Sequence, residues 1–143
     1  MNKAIFFDMD GTIADLYGVS GWLDDLRAER VRPYAEARPL VNLSALARRL
    51  NRLAAKGYTV NIISWTSRGG SAEYNKAVAE VKRAWLAKHL PSVSFTAIHI
   101  IPYGTPKSTC GRGILFDDEQ RNLDEWGEGA HAASEIFEIL RGL

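Results

Sequence analysis

The segment AIFFDMDGT, residues 4–12, contains the change of character on which the interpretation of this chain depends. Four apolar residues, enough for a short buried strand, are followed from Asp8 onward by acids, a glycine and a threonine. Asp8 and Asp10 are separated by one residue, so their carboxylates point to the same side of an extended backbone. Because neighbouring carboxylates repel each other, the pair predicts a site for a divalent cation. Mg²⁺ suits it, since this ion prefers a few carboxylate oxygens, waters and a substrate phosphate.

Further apolar segments along the chain are also followed by polar residues. The further predicted strands and the polar residues after them are 59–63 before Ser64, 95–101 before Lys107, and 113–116 before Asp117 and Asp118.

Amphipathic helices are predicted between these strands. Apolar residues recur at spacings of three and four over 43–54, and Gly57 follows as a stop signal. Ser71 is placed to cap a second helix, and a last helix is predicted around 133–140. The inward-facing stripe of the second helix is predicted to consist of Tyr74, Ala77, Val78, Val81, Ala84 and Trp85.

Strands that alternate with helices indicate an α/β fold: a three-layer α/β/α sandwich with a mainly parallel, Rossmann-like sheet. The length of 143 residues suits one domain over 1–143. Glycines and prolines interrupt any pattern at about 14–41, so this stretch is expected to form a minimal cap or lid insert. Ligands of such sheets bind beyond the carboxyl ends of the strands, where the polar residues named above are expected to converge.

Composition excludes several classes of protein. With 46% hydrophobic and 24% charged residues, the chain has the balance of a globular protein rather than a disordered or fibrous one. The formal charge of +1 is too small for the broad basic field of a nonspecific nucleic-acid binder, although a local basic patch stays open. The single cysteine, Cys110, cannot form an internal disulfide, and no apolar run reaches the roughly 20 residues of a membrane span. Lys3 and Asp8 come too early for a signal peptide, so a cytoplasmic protein without a membrane partner is expected.

The polar residues at the predicted strand ends together provide the groups needed for phosphoryl transfer. The acids would hold the cation, while Lys107 supplies a positive charge, Ser64 a hydroxyl, and the region of Gly11 backbone amides for phosphoryl oxygens. Each of these residues also has a possible structural role that needs no catalysis, since Asp and Gly favour turns and Asp117 and Asp118 suit a helix N-terminus. Their order along the chain is what favours metal-assisted phosphoryl transfer.

The ordered motifs resemble those of the haloacid dehalogenase superfamily of aspartate-nucleophile phosphohydrolases, over most of the chain. The four motifs correspond to the D-x-D-G-T pentapeptide at 8–12, Ser64, Lys107, and Asp117 with Asp118. Within the superfamily, segments 15–22 and 64–67 are similar to small phage and bacterial members described as hydrolases or as 5′-nucleotidase-like.

The resemblance implies a role for each motif residue. Asp8 is expected to attack phosphorus, and Asp10 to act as general acid toward the leaving oxygen and later as general base toward water. Mg²⁺ is expected to be held by an Asp8 oxygen, the Asp10 backbone carbonyl and Asp117, with Asp118 binding through water or orienting Lys107. Asp117 is favoured over Asp118 as the direct ligand because it is next to the strand end.

The substrate and its phosphate are expected to contact residues near three strand ends: Gly11, Thr12, Ser64, Trp65, Thr66, Arg68 and Lys107. Ser64 is favoured as the hydroxyl of the second motif because it directly follows the apolar run, with Thr66 and Ser67 as alternatives. Trp65 and Trp22 are placed to contact a substrate ring, and Arg68 a second anionic group.

The leading interpretation is a Mg²⁺-dependent phosphomonoesterase that acts on a small phosphorylated metabolite, with a nucleoside monophosphate favoured. A phosphatase of DNA or RNA ends is an alternative, because a small lid would admit a polymer, but the near-neutral charge disfavours it. A receiver-like phosphoacceptor domain is a second alternative. Receivers, however, place the acceptor aspartate mid-chain, whereas here the D-x-D pair opens the series. Neither the physiological substrate nor the oligomeric state follows from the sequence.

Overall fold

A five-stranded parallel sheet lies at the centre of the molecule in the computed structural model, which describes residues 2–143. The elements are, in chain order, β1 (Ala4–Phe7), β2 (Ala14–Asp15), α1 (Trp22–Arg27), α2 (Arg32–Glu36), β3 (Arg38–Pro39), α3 (Leu43–Ala55), β4 (Thr59–Trp65), α4 (Ala72–His89), β5 (Ala97–Ile101), β6 (Ile114–Asp117), α5 (Gln120–Trp126), β7 (Ala130–Ala132) and α6 (Ile136–Arg141). Short 3₁₀ helices lie at Lys107–Cys110 and Ala133–Glu135.

The strand order in the sheet is β5-β4-β1-β6-β7, and every neighbouring pair is parallel. Phe7 of the central strand β1 pairs in register with Ile62 of β4 on one side and with Phe116 of β6 on the other. When its five strands are counted along the chain, the sheet has the order 3-2-1-4-5 of Rossmann-like folds, whereas receiver domains have the order 2-1-3-4-5. The predicted parallel, Rossmann-like sheet is therefore confirmed, and its topology argues against the receiver-like alternative.

Helices cover both faces of the sheet because successive side chains of a strand point to opposite sides. Ile5 and Phe7 of β1 belong to the core beneath α3, α4 and α6. Phe6 faces the other way and packs against Trp126 of α5, with ring centroids 5.3 Å apart. The three-layer arrangement is thus present, and its larger helical layer lies on the face of Ile5 and Phe7.

Local sequence explains where the two longest helices begin. The side chain of Asn42 accepts a hydrogen bond from the Ala45 N–H and caps α3. The Ser71 hydroxyl accepts from the Tyr74 N–H and caps α4, as predicted. The predicted inner stripe of α4 is partly wrong, because Ala84 is exposed. The buried residues of α4 are Tyr74, Val78, Lys82, Trp85 and Leu86.

Two elements, α5 and β7, have no recognisable sequence pattern. α5 buries only Asn122 and Trp126, so no apolar stripe marks it, and β7 has only three residues. β4 also continues to Trp65, beyond its predicted end at Ile63, so Ser64 lies within the strand. Among residues 2–143, no helix combines the length and the apolar character needed to cross a membrane.

Residues 14–41 contain a small antiparallel pair, β2 with β3, and the helices α1 and α2 between these strands. This insert is fastened to the beginning of α4. The Glu29 carboxylate accepts hydrogen bonds from the N–H and the hydroxyl of Ser71, and the Tyr74 hydroxyl donates to the Arg30 carbonyl.

Candidate active site

The carboxyl ends of β1, β4 and β6 meet at one edge of the sheet, where the chain order switches from one side of β1 to the other. Asp8 directly follows β1, Trp65 is the last residue of β4, and Asp117 is the last residue of β6. The Asp8 N–H donates to the Phe116 carbonyl at 3.0 Å, which holds the end of β1 beside β6. Open α/β sheets bind their ligands at switch points of this kind.

Lys107 joins the ends of β1 and β6. Its side chain is 1% exposed, and its Nζ donates to Asp8 Oδ1 at 2.8 Å and to Asp117 Oδ2 at 2.7 Å. Burial alone would lower the pKa of Lys107, but the carboxylates of Asp8 and Asp117 outweigh it and raise the pKa. Lys107 therefore keeps its positive charge beside Asp8. Two roles are expected for Asp118, to bind the metal through water or to orient Lys107, and it is Asp117 that contacts Lys107.

Asp8, Asp117 and Asp118 form a cluster in which one carboxylate oxygen of each lies within 4.8 Å of the others. Asp117 is buried and also accepts from the Asn122 side chain and the Glu119 N–H, whereas Asp118 is exposed at the rim. Desolvation, followed by repulsion from Asp8, raises the pKa of Asp117 to about 6 and that of Asp118 to about 8. Since one lysine does not neutralise three carboxylates, this donor set suits a hard divalent cation such as Mg²⁺.

The turn after Asp8 supports the carboxylates. The Gly11 N–H donates to the Ala14 carbonyl at 2.9 Å, so among the amides of this region that are predicted to bind a phosphate, that of Gly11 itself is engaged within the turn. A glycine is required here because φ is +83° and a Cβ would collide with the Asp118 carboxylate. The Thr12 hydroxyl donates to Asp8 Oδ2 at 2.9 Å, so Thr12 orients the Asp8 carboxylate.

A second buried lysine, Lys82 of α4, lies in the site and is not indicated by any of the four motifs. Its side chain is 1% exposed, and its Nζ donates to Asp10 Oδ2 at 2.8 Å, to Ser64 Oγ at 2.7 Å and to the Trp65 carbonyl at 2.7 Å. The centroid of the Tyr34 ring is 5.0 Å from the same Nζ. The two acids of the D-x-D pair therefore contact different lysines.

The spacing along α4 is the signal by which Lys82 is recognisable in the sequence. Tyr74, Val78 and Leu86 are buried, and Lys82 continues their interval of four residues. A charged residue in the buried stripe of a helix needs polar partners. Asn122, which donates to Asp117, is also absent from the predicted site. No sequence signal indicates it, because its helix α5 has no stripe of apolar residues.

The Asp10 side chain is mostly buried, with 19% of its surface exposed. Burial raises the pKa of Asp10, and the Lys82 ammonium opposes part of this rise. A carboxyl group in such surroundings is suited to proton transfer near neutral pH.

The three candidate hydroxyls of the second motif have different surroundings. Ser64 is buried and accepts from Lys82. The Ser67 hydroxyl donates to Asn75 Oδ1 at 2.6 Å. Thr66 borders the cavity beside the acids, and its hydroxyl makes no hydrogen bond to another side chain or backbone group of residues 2–143.

A cavity of about 410 Å³ lies against Asp8, Asp10 and Asp117, in the size range of small-molecule sites. Of the residues predicted to contact substrate, Trp22, Trp65, Thr66 and Arg68 border it. Gly11, Thr12, Ser64 and Lys107 do not border it, and the last three instead contact the acids or Lys82. Its aromatic lining residues are Tyr17, Trp22, Tyr34, Trp65 and Tyr103.

Trp65 and Tyr103 form an aromatic wall of this cavity, with ring centroids 4.9 Å apart. The Trp65 indole donates to the Thr105 carbonyl at 2.9 Å, which fixes the ring. The guanidinium of Arg121 lies 4.7 Å from the Trp65 centroid, and that of Arg68 lies 5.9 Å from the Tyr103 centroid. Arg68 is exposed and forms no ion pair within residues 2–143, so its charge is available to a ligand.

Solved structures that match this fold include two phosphatases. The D,D-heptose 1,7-bisphosphate phosphatase from B. bronchiseptica, complexed with magnesium and phosphate, has a TM-score of 0.57 and 16% identity, and the match covers 99% of each chain. The D,D-heptose 1,7-bisphosphate phosphatase from Burkholderia thailandensis has a TM-score of 0.57 and 15% identity over 97% of this chain and 99% of that chain. No family model matches the chain, and no curated protein matches it significantly.

At these identities the likeness concerns the fold. It supports the predicted α/β fold with a mainly parallel, Rossmann-like sheet over nearly the whole chain.

Proposed function

We propose that the protein is a Mg²⁺-dependent phosphomonoesterase of the haloacid dehalogenase type, in which Asp8 is phosphorylated during turnover. The observation that carries the proposal is the junction of Asp8, Lys107 and the further acids at the carboxyl edge of the sheet, where Asp8 borders a cavity. A carboxylate that is oriented by a lysine and borders a ligand-sized cavity is presented as a nucleophile. The fold shared with the two phosphatases supports this assignment.

The reaction consists of two displacements at phosphorus. In the first, an Asp8 oxygen attacks phosphorus, the bond to the leaving oxygen breaks, and Asp10 gives its proton to that oxygen. In the second, a water oxygen attacks the aspartyl-phosphate, Asp10 takes a proton from the water, and the bond between phosphorus and Asp8 breaks. Inorganic phosphate leaves and both carboxyl groups return to their starting state. Lys107 and Thr12 orient Asp8 by binding one oxygen each.

The acid cluster fits the metal ion that the proposal includes. Carboxylate oxygens of Asp8 and Asp117 and the Asp10 backbone carbonyl would hold Mg²⁺, with Asp118 as a further ligand, directly or through water. When bound, the ion supplies positive charge that offsets the charge of the acids and of the phosphate. Lys107 supplies a second positive charge from the protein itself.

A nucleoside monophosphate is the substrate that the cavity suits best. Tyr17, Trp22, Trp65 and Tyr103 offer aromatic rings against which a base can stack. Arg68 is available to a further anionic or polar group. The two phosphatases of the same fold are named for a sugar bisphosphate, which presents hydroxyl groups and no aromatic ring. Aromatic walls favour a base over such a sugar.

Residues 14–41 serve as a minimal cap on a single domain in this proposal. They contribute Tyr17, Trp22 and Tyr34 to the cavity. The hydrogen bonds between Glu29 and Ser71 fasten them to α4, on the side of the sheet edge where the acids lie. The insert thereby supplies three of the aromatic rings of the cavity, and the sheet edge supplies the reacting groups.

The test is a panel of phosphate monoesters assayed with Mg²⁺ and with a chelator, with the Asp8→Asn protein as matched control. We expect phosphate release that needs both Mg²⁺ and Asp8 and is faster from nucleoside monophosphates than from sugar phosphates. Faster release from heptose bisphosphate would move the substrate class to sugars, and faster release from a 3′-phosphorylated oligonucleotide would identify a polynucleotide-end phosphatase. No Mg²⁺-dependent release from any member of the panel would contradict the proposal.

A further inference from the structure

Lys82 uses all three of its N–H donors inside the protein. The acceptors are Asp10 Oδ2, Ser64 Oγ and the Trp65 carbonyl, at 2.7 to 2.8 Å. The Tyr34 ring lies against the same ammonium group. Lys82 therefore connects the turn after β1, the end of β4 and the cap, although it belongs to none of them.

The stability of the fold does not explain a lysine at this position. Tyr74, Val78 and Leu86 form the buried stripe of α4 around it, and a methionine at position 82 would continue that stripe. Removing an ammonium group from water carries a large desolvation penalty, and replacing both partners of a buried ion pair by apolar residues is often neutral or stabilising, so stability alone does not call for such a pair. The contacts of Lys82 with polar groups of the site therefore indicate a functional role for Lys82 at that site.

We infer that Lys82 is a positioning residue for proton transfer by Asp10, an inference that rests on the proposed phosphatase activity. The ammonium group donates a hydrogen bond to Oδ2 of Asp10, while Oδ1 accepts no hydrogen bond from residues 2–143. Asp10 borders the cavity, so Oδ1 is the oxygen left to give a proton to the leaving group and to take one from water.

The other two contacts of Lys82 make this positioning effective. A lysine side chain has a long flexible stem and by itself fixes a partner poorly. Here Ser64 and the Trp65 carbonyl, both in β4, hold the ammonium group, and the Tyr34 ring excludes water from one side. The orientation of the Asp10 carboxyl is thereby tied to the sheet that also carries Asp8, and small misplacements of reacting groups reduce rates strongly.

The test compares the wild-type protein with Lys82→Met on two substrates that differ in their need for a proton. A nucleoside 5′-monophosphate releases an alkoxide, which needs general acid catalysis, whereas 2,4-dinitrophenyl phosphate releases a stable phenolate. The parameter measured is kcat/KM, because it covers the steps up to the aspartyl-phosphate. We expect it to fall about 10- to 100-fold for the nucleotide and less than about threefold for the aryl ester. In an Asp10→Asn background, Lys82→Met should cause no further loss on the nucleotide.

Two further variants separate positioning from packing. Val78→Ala removes packing on the same face of α4 and should change both substrates alike. Lys82→Arg keeps a cation and should recover most of the loss on the nucleotide. Equal losses on both substrates for Lys82→Met, or a full further loss in the Asp10→Asn background, would assign a structural role to Lys82 and overturn the inference. An unfolded Lys82→Met protein would also overturn it, because stability would then require the lysine. A wild-type protein inactive on both substrates would instead contradict the proposed function.

Discussion

Two buried lysines hold the acids of the D-x-D pair, and they do so in different ways. Lys107 contacts two carboxylates, those of Asp8 and Asp117, whereas Lys82 contacts one carboxylate, that of Asp10, together with a hydroxyl and a backbone carbonyl. We call the first group the metal half of the site (Asp8, Asp117, Asp118 and Lys107) and the second the proton-transfer half (Asp10, Ser64 and Lys82).

The difference in charge between the two halves separates their tasks. The metal half has three carboxylates and one ammonium group, an excess of negative charge that suits a divalent cation. The proton-transfer half has one carboxylate and one ammonium group, so it needs no further cation. In the proposed mechanism, two acids separated by a single residue thus have different tasks, because different lysines contact them in the fold.

The largest effect is expected for Lys107→Met, because it leaves Asp8 and Asp117 without their shared cation. Removing one partner of a buried ion pair costs about 3–5 kcal/mol, and turnover should fall at least about 10²-fold. Lys82→Met should destabilise less, since Asp10 is partly exposed and is the only carboxylate affected. Urea unfolding without Mg²⁺ measures both variants, and a larger loss for Lys82→Met would contradict the distinction between the halves.

The next effect concerns the metal requirement. Asp117→Asn should raise the Mg²⁺ concentration for half-maximal activity by at least roughly tenfold, because it weakens the donor set. Lys82→Met should leave that concentration unchanged, although it lowers kcat. A Mg²⁺ titration of activity for the two variants and the wild type decides this. An unchanged requirement in Asp117→Asn would remove Asp117 from the proposed metal ligands.

A smaller difference is expected between Ser64→Ala and Thr66→Val. Ser64 contacts Lys82, so its loss should lower kcat about three- to tenfold, through the proton-transfer half. Thr66 borders the cavity with a free hydroxyl, so its loss should raise KM by a similar factor and leave kcat nearly unchanged. Steady-state kinetics on one nucleotide measure both parameters. The reverse pattern would show that Ser64 binds the phosphate directly.

The last prediction concerns stability rather than activity, namely how the free energy of unfolding depends on pH without Mg²⁺. Asp117 and Asp118 have pKa values of about 6 and about 8 in the folded protein, against 3.8 ordinarily. Between about pH 4 and 8 the folded protein therefore holds protons that the unfolded chain has released, so the free energy of unfolding should decrease as pH rises. Mg²⁺ should flatten this decrease, and Lys82→Met should steepen it, because the pKa of Asp10, already raised by burial, loses the ammonium group that opposes the rise. Denaturant unfolding at several pH values measures the slope, and a stability that increases over this range without Mg²⁺ would contradict the charge excess of the metal half.

The parts of the fold that could be predicted from the sequence are those with a repeated apolar pattern. β1, α3 and α4 follow from runs and spacings of apolar residues, and the caps Asn42 and Ser71 use local hydrogen bonds. α5 and β7 could not be predicted, because one buries an asparagine with a tryptophan and the other is too short for a period. Their stability comes from contacts with β6 that only the assembled sheet provides.

The residues of the candidate site also divide into those that the sequence could predict and those that it could not. Asp8, Lys107 and Asp117 could be placed together because each lies at or beyond the carboxyl end of a strand, and parallel strands bring these ends to one edge. Lys82 lies in the middle of a helix, where its sequence neighbours say nothing of its partners, and only the burial of its helix face brings it to Asp10. Of the phosphate-binding amides predicted in the region of Gly11, the N–H of Gly11 itself is used within the turn.

The central claim is that Asp8 takes the phosphoryl group covalently, and trapping that intermediate tests it most directly. Borohydride added during turnover reduces an aspartyl-phosphate to homoserine, which peptide mass spectrometry locates in the chain. We predict homoserine at position 8 with substrate and Mg²⁺, and none when either is omitted or in the Asp8→Asn protein. Turnover without any modification at position 8, or with the modification at another aspartate, would contradict the account.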